Sequence, residues 1–341
     1  MDLLDHVAKS EDKYGNPKIV VAGVGGAGCN TINRLAKSGV RGAELIAINT
    51  DQKHLGVVTE SARRVLIGQS ITKGLGAGGY PEIAAKSAES SRQELERILS
   101  ETNLLFLAVG MGGGTGTGAS PVVAEIAKQQ GAIVVAMVTY PFLLERARLK
   151  KADEGLEKLR KFADTIVIID NNRLVEFVPN LPIEQAFTVA DEITSRAVRG
   201  ITETITTPSL INLDYADVRA IMQGGGISMI AVGEGKGVNR AKDVVYNTLN
   251  HRLLDVDFSG ATGVLLHLTG GSDMTLGEAN DVGEMITQSV DPNANVIWGA
   301  RMSEESAGKL EAIAIFTGIK SPYVIGRKSE TRKKDNIIEG V

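Results

Sequence analysis

Residues 110 to 118 read GMGGGTGTG, six glycines in nine positions. Glycine gives up more backbone entropy on folding than any other residue, so a run this dense persists where the fold needs bare backbone. The flanks exclude a flexible linker. NLLFLAVG before it is a continuous apolar run of buried-strand length, and SPVVAEIAKQQG after it is helix-like. Pro121 is expected near the first turn of that helix, where its missing N–H costs nothing. A glycine loop between a strand and a helix gathers oriented N–H groups and the positive end of the helix dipole, which together favour an anion. Thr115, Thr117 and Ser120 add hydroxyls.

A second loop of this kind lies near the amino terminus. GVGGAG places Gly23, Gly25 and Gly28 in G-x-G-x-x-G spacing between the strand-like KIVVAG and the helix-like CNTINRLAKSG, with Gly39 as the stop. Asp51, after the next strand ELIAINTD, stands near the distance at which an acid meets a ribose, so a nicotinamide oxidoreductase using Gly23, Gly25, Gly28 and Asp51 is one reading. Two helix-start anion sites in one sheet suit a chain of phosphates better than a single bridging pyrophosphate. A third cluster, KGLGAGGYPE, brings Ala77 and Gly78 to where a loop closes over a terminal phosphate. The P-loop signature G-x-x-x-x-G-K-[ST] occurs nowhere in the chain.

Short apolar strands continue to alternate with helices as far as TIVIIDNN, which predicts a parallel sheet covered on both faces, a Rossmann-like nucleotide-binding domain over 18–181. Ile183, Ala186, Phe187, Ala190, Ile193, Ala197, Ile201 and Ile205 then recur at helical spacing and predict one long central helix, 182–208, stopped by Pro208. Four further strand patterns with two helical ones between them predict an α+β domain with a four-stranded sheet over 209–319. Residues 1–17 read as a polar extension. Residues 320–341, with six basic and three acidic side chains and no periodicity, read as a basic tail tipped by Ile337 and Ile338.

With 43% hydrophobic and 23% charged residues the chain is globular, and a net charge of −4 with 4% aromatics argues against nucleic-acid binding. One cysteine, Cys29, excludes an internal disulfide framework. No stretch has signal-peptide or membrane-spanning character, so a cytoplasmic protein without direct membrane insertion is expected.

GGGTGTG, with GVGGAGCN about ninety residues earlier, resembles the signature of the tubulin/FtsZ family, and the similarity runs from Lys18 to Ile319, closest to archaeal members of the FtsZ branch. The resemblance implies a GTPase that polymerises head to tail as the scaffold of the cytokinetic ring at mid-cell. It implies GTP or GDP as ligand, with Mg2+ held through the phosphates and water and no protein metal site. Phosphate contacts would come from Gly25, Gly26, Ala27, Gly28, Cys29 and Asn30, from Gly112, Gly113, Gly114, Thr115, Gly116 and Thr117, and from the Ala77–Gly78 segment. Glu145 and Arg148 would meet ribose and phosphate; their spacing is three where the family usually has four, and counting forward from Glu145 would land on Leu149 instead. Asn171, with Asn172 as its neighbouring alternative, would lie by the guanine and ribose. Phe187 and Asp191, one helical turn apart, would stack on and read the base. The family's NTD-x-Q segment here reads NTDQK, a departure that takes a metal-ordering role away from it.

No group that activates water lies beside the glycine loops. NLDYADV matches the family's N-x-D-x-x-D element through Asn212, Asp214 and Asp217. On residue chemistry alone, an acid pair before an apolar run is a helix cap. The resemblance implies instead that these residues polarise water on the GTP of the next subunit. A nucleotide-binding filament protein without hydrolysis remains a third reading. The family also implies a membrane-anchoring adaptor on the tail.

Overall fold

A computed structural model describes residues 17–207, 209–211, 213–249, 258, 260–288 and 290–319. The N-terminal extension through residue 16, the basic tail, Asn212 and Pro208 lie outside the described residues.

The amino-terminal half alternates strands and helices. It runs β1 (Ile19–Val24), α1 (Gly25–Ser38), β2 (Ala43–Asn49), α2 (Gln52–Gly56), β3 (Arg63–Leu66) and α3 (Gln69–Thr72). Then come α4 (Pro81–Ser90), α5 (Arg92–Ile98), β4 (Leu104–Gly110), α6 (Gly114–Gln129), β5 (Ile133–Tyr140), α7 (Arg146–Leu159), β6 (Thr165–Asp170) and α8 (Asn171–Phe177). The strands pair in parallel in the order β3-β2-β1-β4-β5-β6. Chain order reverses between β1 and β4, and a doubly wound sheet opens its ligand crevice beyond the carboxyl ends of the strands at such a point. Both signature glycine loops follow these two strands.

Both faces of this sheet are dry. Val20, Ala22 and Val24 of β1 pack with α4–α7, while Ile19 and Val21 face α1 and the rest of the molecule. That double burial is why the strands read as unbroken apolar runs.

The long helix α9 spans Ile183–Thr206 and leads to α10 (Tyr215–Met222). The predicted carboxy-terminal strands are β7 (Gly226–Lys236), β8 (Gly263–Gly270), β9 (Asn295–Met302) and β10 (Lys309–Thr317), with α11 (Arg240–Leu249) and α12 (Leu276–Thr287) on one face. Strand β10 runs antiparallel between β7 and β8, and β9 lies parallel to β8. These four strands are not a separate sheet. Gly226–Ser228 of β7 pair with Thr165–Val167 of β6, so ten strands form one continuous sheet.

Two local expectations need correction, and two short elements were not foreseen. Helix α6 begins inside the glycine run at Gly114, so Pro121 is interior rather than first-turn. Helix α1 likewise begins at Gly25. The glycines are therefore the opening turns of the two helices, where they let those turns approach their neighbours. Short β3 and helix α4, opening at Pro81, carried too little periodicity to be read.

Candidate functional site

The two glycine-opened helices meet. A Cβ on Gly25, where φ is +77°, would stand 2.7 Å from the Gly116 nitrogen, and one on Gly116 would stand 2.5 Å from the Gly110 carbonyl. Only glycine permits that approach. Two helix amino termini thus face one cleft of about 820 Å3, within the range of nucleotide-sized sites. Gly26, Ala27 and Asn30 line it from α1, and Gly113–Gly116 from α6. Thr115 Oγ1 lies 2.8 Å from Thr50 Oγ1, which ties the opening turn of α6 to the end of β2.

Not every residue of the loops turns toward the cleft. Gly28 is spent on packing: a Cβ there would come 2.4 Å from the Ala108 carbonyl. Cys29 is fully buried, its thiol set against the Ile48 carbonyl and pushed up to about 12 by desolvation. The Gly112 N–H is already used, donating to Thr117 Oγ1 at 2.8 Å, and Thr117 and Ser120 are buried. Ala77 and Gly78 do not line the cleft; their loop rests on the first turn of α6, with Ala77 Cβ 3.1 Å from where a Gly114 Cβ would be.

Beyond the glycine-opened helix turns, Glu145 and Arg148 line the cleft together as an ion pair of 2.6 Å. Glu145 also accepts from the Phe142 N–H at 3.1 Å. The geometry separates Asn171 from Asn172. Asn172 is committed: it accepts from the Leu143 N–H and donates to Asp170. Asn171 lines the cleft, and its buried Oδ1 has no partner among the described residues. A buried unpaired acceptor costs free energy until a donor arrives, as a ligand could supply.

The far end belongs to α9. Phe187, 39% exposed, borders the cleft with its ring edge-on to Phe142 at 5.8 Å. Asp191, one turn on, is largely buried; it accepts from Thr31 Oγ1 at 3.0 Å and pairs with Arg34 at 3.4 Å. Burial pushes its carboxyl upward, and Arg34 and Thr31 pull against that shift. Thr31 and the lining residues Arg34, Lys37, His54 and Thr188 were not foreseen. On the sequence they are ordinary polar positions, without a local signal.

Asp51 caps α2, accepting from the His54 N–H at 3.1 Å, and does not line the cleft. The ribose acid required by the nicotinamide reading is therefore missing from its place.

The acids of NLDYADV are elsewhere. Asp214 and Asp217 form a reciprocal capping box on α10, each side chain accepting from the other's backbone N–H, at 2.9 and 3.0 Å. Tyr215 Oη donates to the Asn103 carbonyl at 3.0 Å, and Thr165 Oγ1 to the Met222 carbonyl at 2.8 Å. Asn103 and Thr165 stand at the amino-terminal ends of β4 and β6, whose carboxyl ends lead into Gly110 and Asn171 at the cleft. The acid pair and the cleft are thus at opposite ends of the same strands. Among the described residues, no helix is long and apolar enough to cross a membrane.

Comparison with known proteins agrees with this architecture. Residues 18–179 match the model of the Tubulin/FtsZ family GTPase domain, and residues 226–320 that of the FtsZ family C-terminal domain. The chain is 56% identical over 326 residues to cell division protein FtsZ 2 of Methanocaldococcus jannaschii, covering 95% of this chain and 86% of that one. It is 53% identical to FtsZ 2 of Halobacterium salinarum, covering 94% and 81%. An M. jannaschii FtsZ dimer structure superposes with a TM-score of 0.85 at 45% identity, covering 93% of each chain. A CetZ2 protofilament from Haloferax volcanii, at 22% identity, covers 94% of this chain and 99% of that one and shares the fold with a TM-score of 0.76. The chain belongs to the FtsZ branch of the tubulin/FtsZ GTPase family.

Proposed function

We propose that this protein is a GTPase that assembles head to tail, hydrolyses GTP at the joint between subunits, and forms the cytokinetic scaffold. The observation that carries the reading is the separation of the cleft from the acid pair along β4 and β6. One molecule cannot bring them together, whereas a heterologous contact between copies can, and such a contact propagates instead of closing.

In the cleft, the Asp191 carboxylate accepts from N1–H and the exocyclic amine of guanine, a pair of donors that adenine lacks. Phe187 stacks on the base and Asn171 offers its free acceptor beside it. Glu145 and Arg148 hold ribose and phosphate. The phosphate chain rests on the N–H groups opening α1 and α6, aided by both helix dipoles. A magnesium ion, held by phosphate oxygens and water, would neutralise charge on the phosphates. Asp214 and Asp217 of the adjoining subunit, with Asn212, orient and polarise the water that attacks the terminal phosphorus. Their mutual capping keeps both carboxylates fixed before any partner arrives, which lowers the reorganisation needed.

The domain limits proposed are 18–181 for nucleotide binding, 182–208 for the central helix and 209–319 for the domain carrying the acids. The tail, 320–341, is proposed to recruit a membrane-anchoring adaptor at the mid-cell division site. Deleting 329–341 should abolish adaptor binding and ring localisation while leaving GTP turnover intact.

Light scattering and phosphate release, followed together while protein concentration is raised in GTP, test the central proposal. Both signals should rise beyond one shared threshold. Turnover per molecule that is independent of concentration would overturn the composite site, and assembly without phosphate release would favour a non-hydrolysing filament.

A further inference from the structure

The third glycine cluster is held from two sides. On its inner side the Gly76 N–H donates to the Thr50 carbonyl at 3.1 Å. There too the loop sits on the opening turn of α6, so that a Gly114 Cβ would stand 3.0 Å from the Tyr80 nitrogen and 3.1 Å from Gly79 Cα. On its outer side the holder is Lys151 of α7. Its ammonium donates to the Gly79 carbonyl at 2.7 Å and stands 5.6 Å from the centre of the Tyr80 ring.

Gly76, Gly78 and Gly79 all have φ between +60° and +84° and offer no side chain to fix the loop from within. Backbone that is free to reorient needs an external anchor to keep one shape. Lys151 is placed for this, one turn after Arg148 on the helix capped by Glu145. Helix α7 is itself seated on α6, where a Gly155 Cβ would come 2.3 Å from Thr117 Cγ2. One rigid helix therefore touches the ribose end of the cleft, the α6 phosphate turn and the outer glycine loop.

Resting on the GTP reading above, we infer that Lys151 is a positioning residue for the terminal phosphate: it holds the 76–80 loop against the α6 opening turn and gives a triphosphate its advantage over a diphosphate. The ammonium acts through the loop's shape, by a charge-assisted bond to Gly79 and a cation–π contact with Tyr80. The loop reaches the cleft only through the α6 opening turn at Gly114, so on this inference its shape matters to the phosphate seated farthest along that turn. A diphosphate, one phosphate shorter, gains nothing from it.

The test measures GTPγS and GDP affinities at dilute protein for wild type, Lys151→Met, Lys151→Arg, Tyr80→Leu and the Tyr80→Leu/Lys151→Met double variant. Lys151→Met should weaken GTPγS about five- to tenfold, the scale of one ordinary hydrogen bond because the Lys151–Gly79 contact is exposed to solvent, and leave GDP within about twofold. Lys151→Arg, which keeps a donor and a cation over the ring, should restore the preference. The double variant should lose less than the product of the two single losses, because both act on one loop. Equal losses for both nucleotides, no loss for either, or strict additivity would overturn the inference while leaving the GTP reading intact. Wild type that binds neither guanine nucleotide would overturn that reading and this inference with it.

Discussion

Thr31 Oγ1 donates to Asp191 Oδ1 at 3.0 Å, joining α1 to α9 across 160 residues of sequence. With Arg34 on the second oxygen, this contact aims the carboxylate into the cleft before any base is present. Replacing it by an amide keeps the shape but supplies a donor where guanine also donates. Asp191→Asn should weaken GTP about 10- to 100-fold, the scale of charge-assisted bonds, and remove any preference for GTP over inosine triphosphate. Calorimetric titration of both nucleotides checks this.

Acidity acts on Asp191 with two opposite signs. Burial raises its carboxyl above the unfolded value, so the folded state holds the proton more tightly. The stability it contributes is fully present below the unfolded pKa and is lost as pH rises through the raised folded value. Guanine, by contrast, needs the ionised form, so GTP affinity should fall as pH drops through the same window. Urea unfolding of the nucleotide-free protein and GTP titration over the acid range should show the opposed slopes, and Asp191→Asn should flatten both.

Two glycines of α6 separate binding from folding. A methyl on Gly113 meets no protein atom within 4 Å, although the residue lines the cleft, whereas one on Gly116 comes 2.5 Å from the Gly110 carbonyl. Gly113→Ala should cost only the cap exchange, about 0.5–1 kcal/mol, yet weaken GTP by crowding the phosphates. Gly116→Ala should destabilise the fold by about 1–3 kcal/mol through overpacking. Thermal unfolding paired with nucleotide titration distinguishes the two losses.

At the other end, Asp214 caps α10 and, in the proposed function, also polarises water, two duties that one substitution can part. Asparagine caps a helix as well as aspartate does, so Asp214→Asn should stay within a few tenths of a kcal/mol of wild-type stability. It should bind GTP normally and hydrolyse it hardly at all. Mixing Asp214→Asn with Gly113→Ala should recover part of the phosphate release, because each supplies the half-site the other lacks. No recovery would place hydrolysis within one molecule.

The glycine loops and the strands before them were legible because they answer to local constraints: positive φ, close approach and double burial. Asp214 and Asp217 were legible as the cap they form, while the catalytic role proposed for them rests on family likeness. Arg34 and Lys37 were not, since on α1 they resemble any solvated helical face until α9 is laid beside them. Lys151 was hidden for the same reason, its carbonyl partner lying 72 positions away. The junction of β6 with β7 left no trace either: three residue pairs change neither the periodicity nor the composition of the strands that make them.

Strand β4 carries a last consequence. Its seven residues run from beside Asn103, which receives the Tyr215 hydroxyl, to Gly110 at the rim of the cleft. At about 3.3 Å per residue this is a bar of roughly 23 Å, clamped by β1 and β5 along its length. The interval between the Tyr215 anchor of the acid-bearing helix and the cleft is therefore gauged by covalent chain length and not by the compliance of a packed interface. In the proposed head-to-tail array, each added copy would carry the same rigid bar between its acid pair and its cleft, so this strand contributes a fixed length to the repeat.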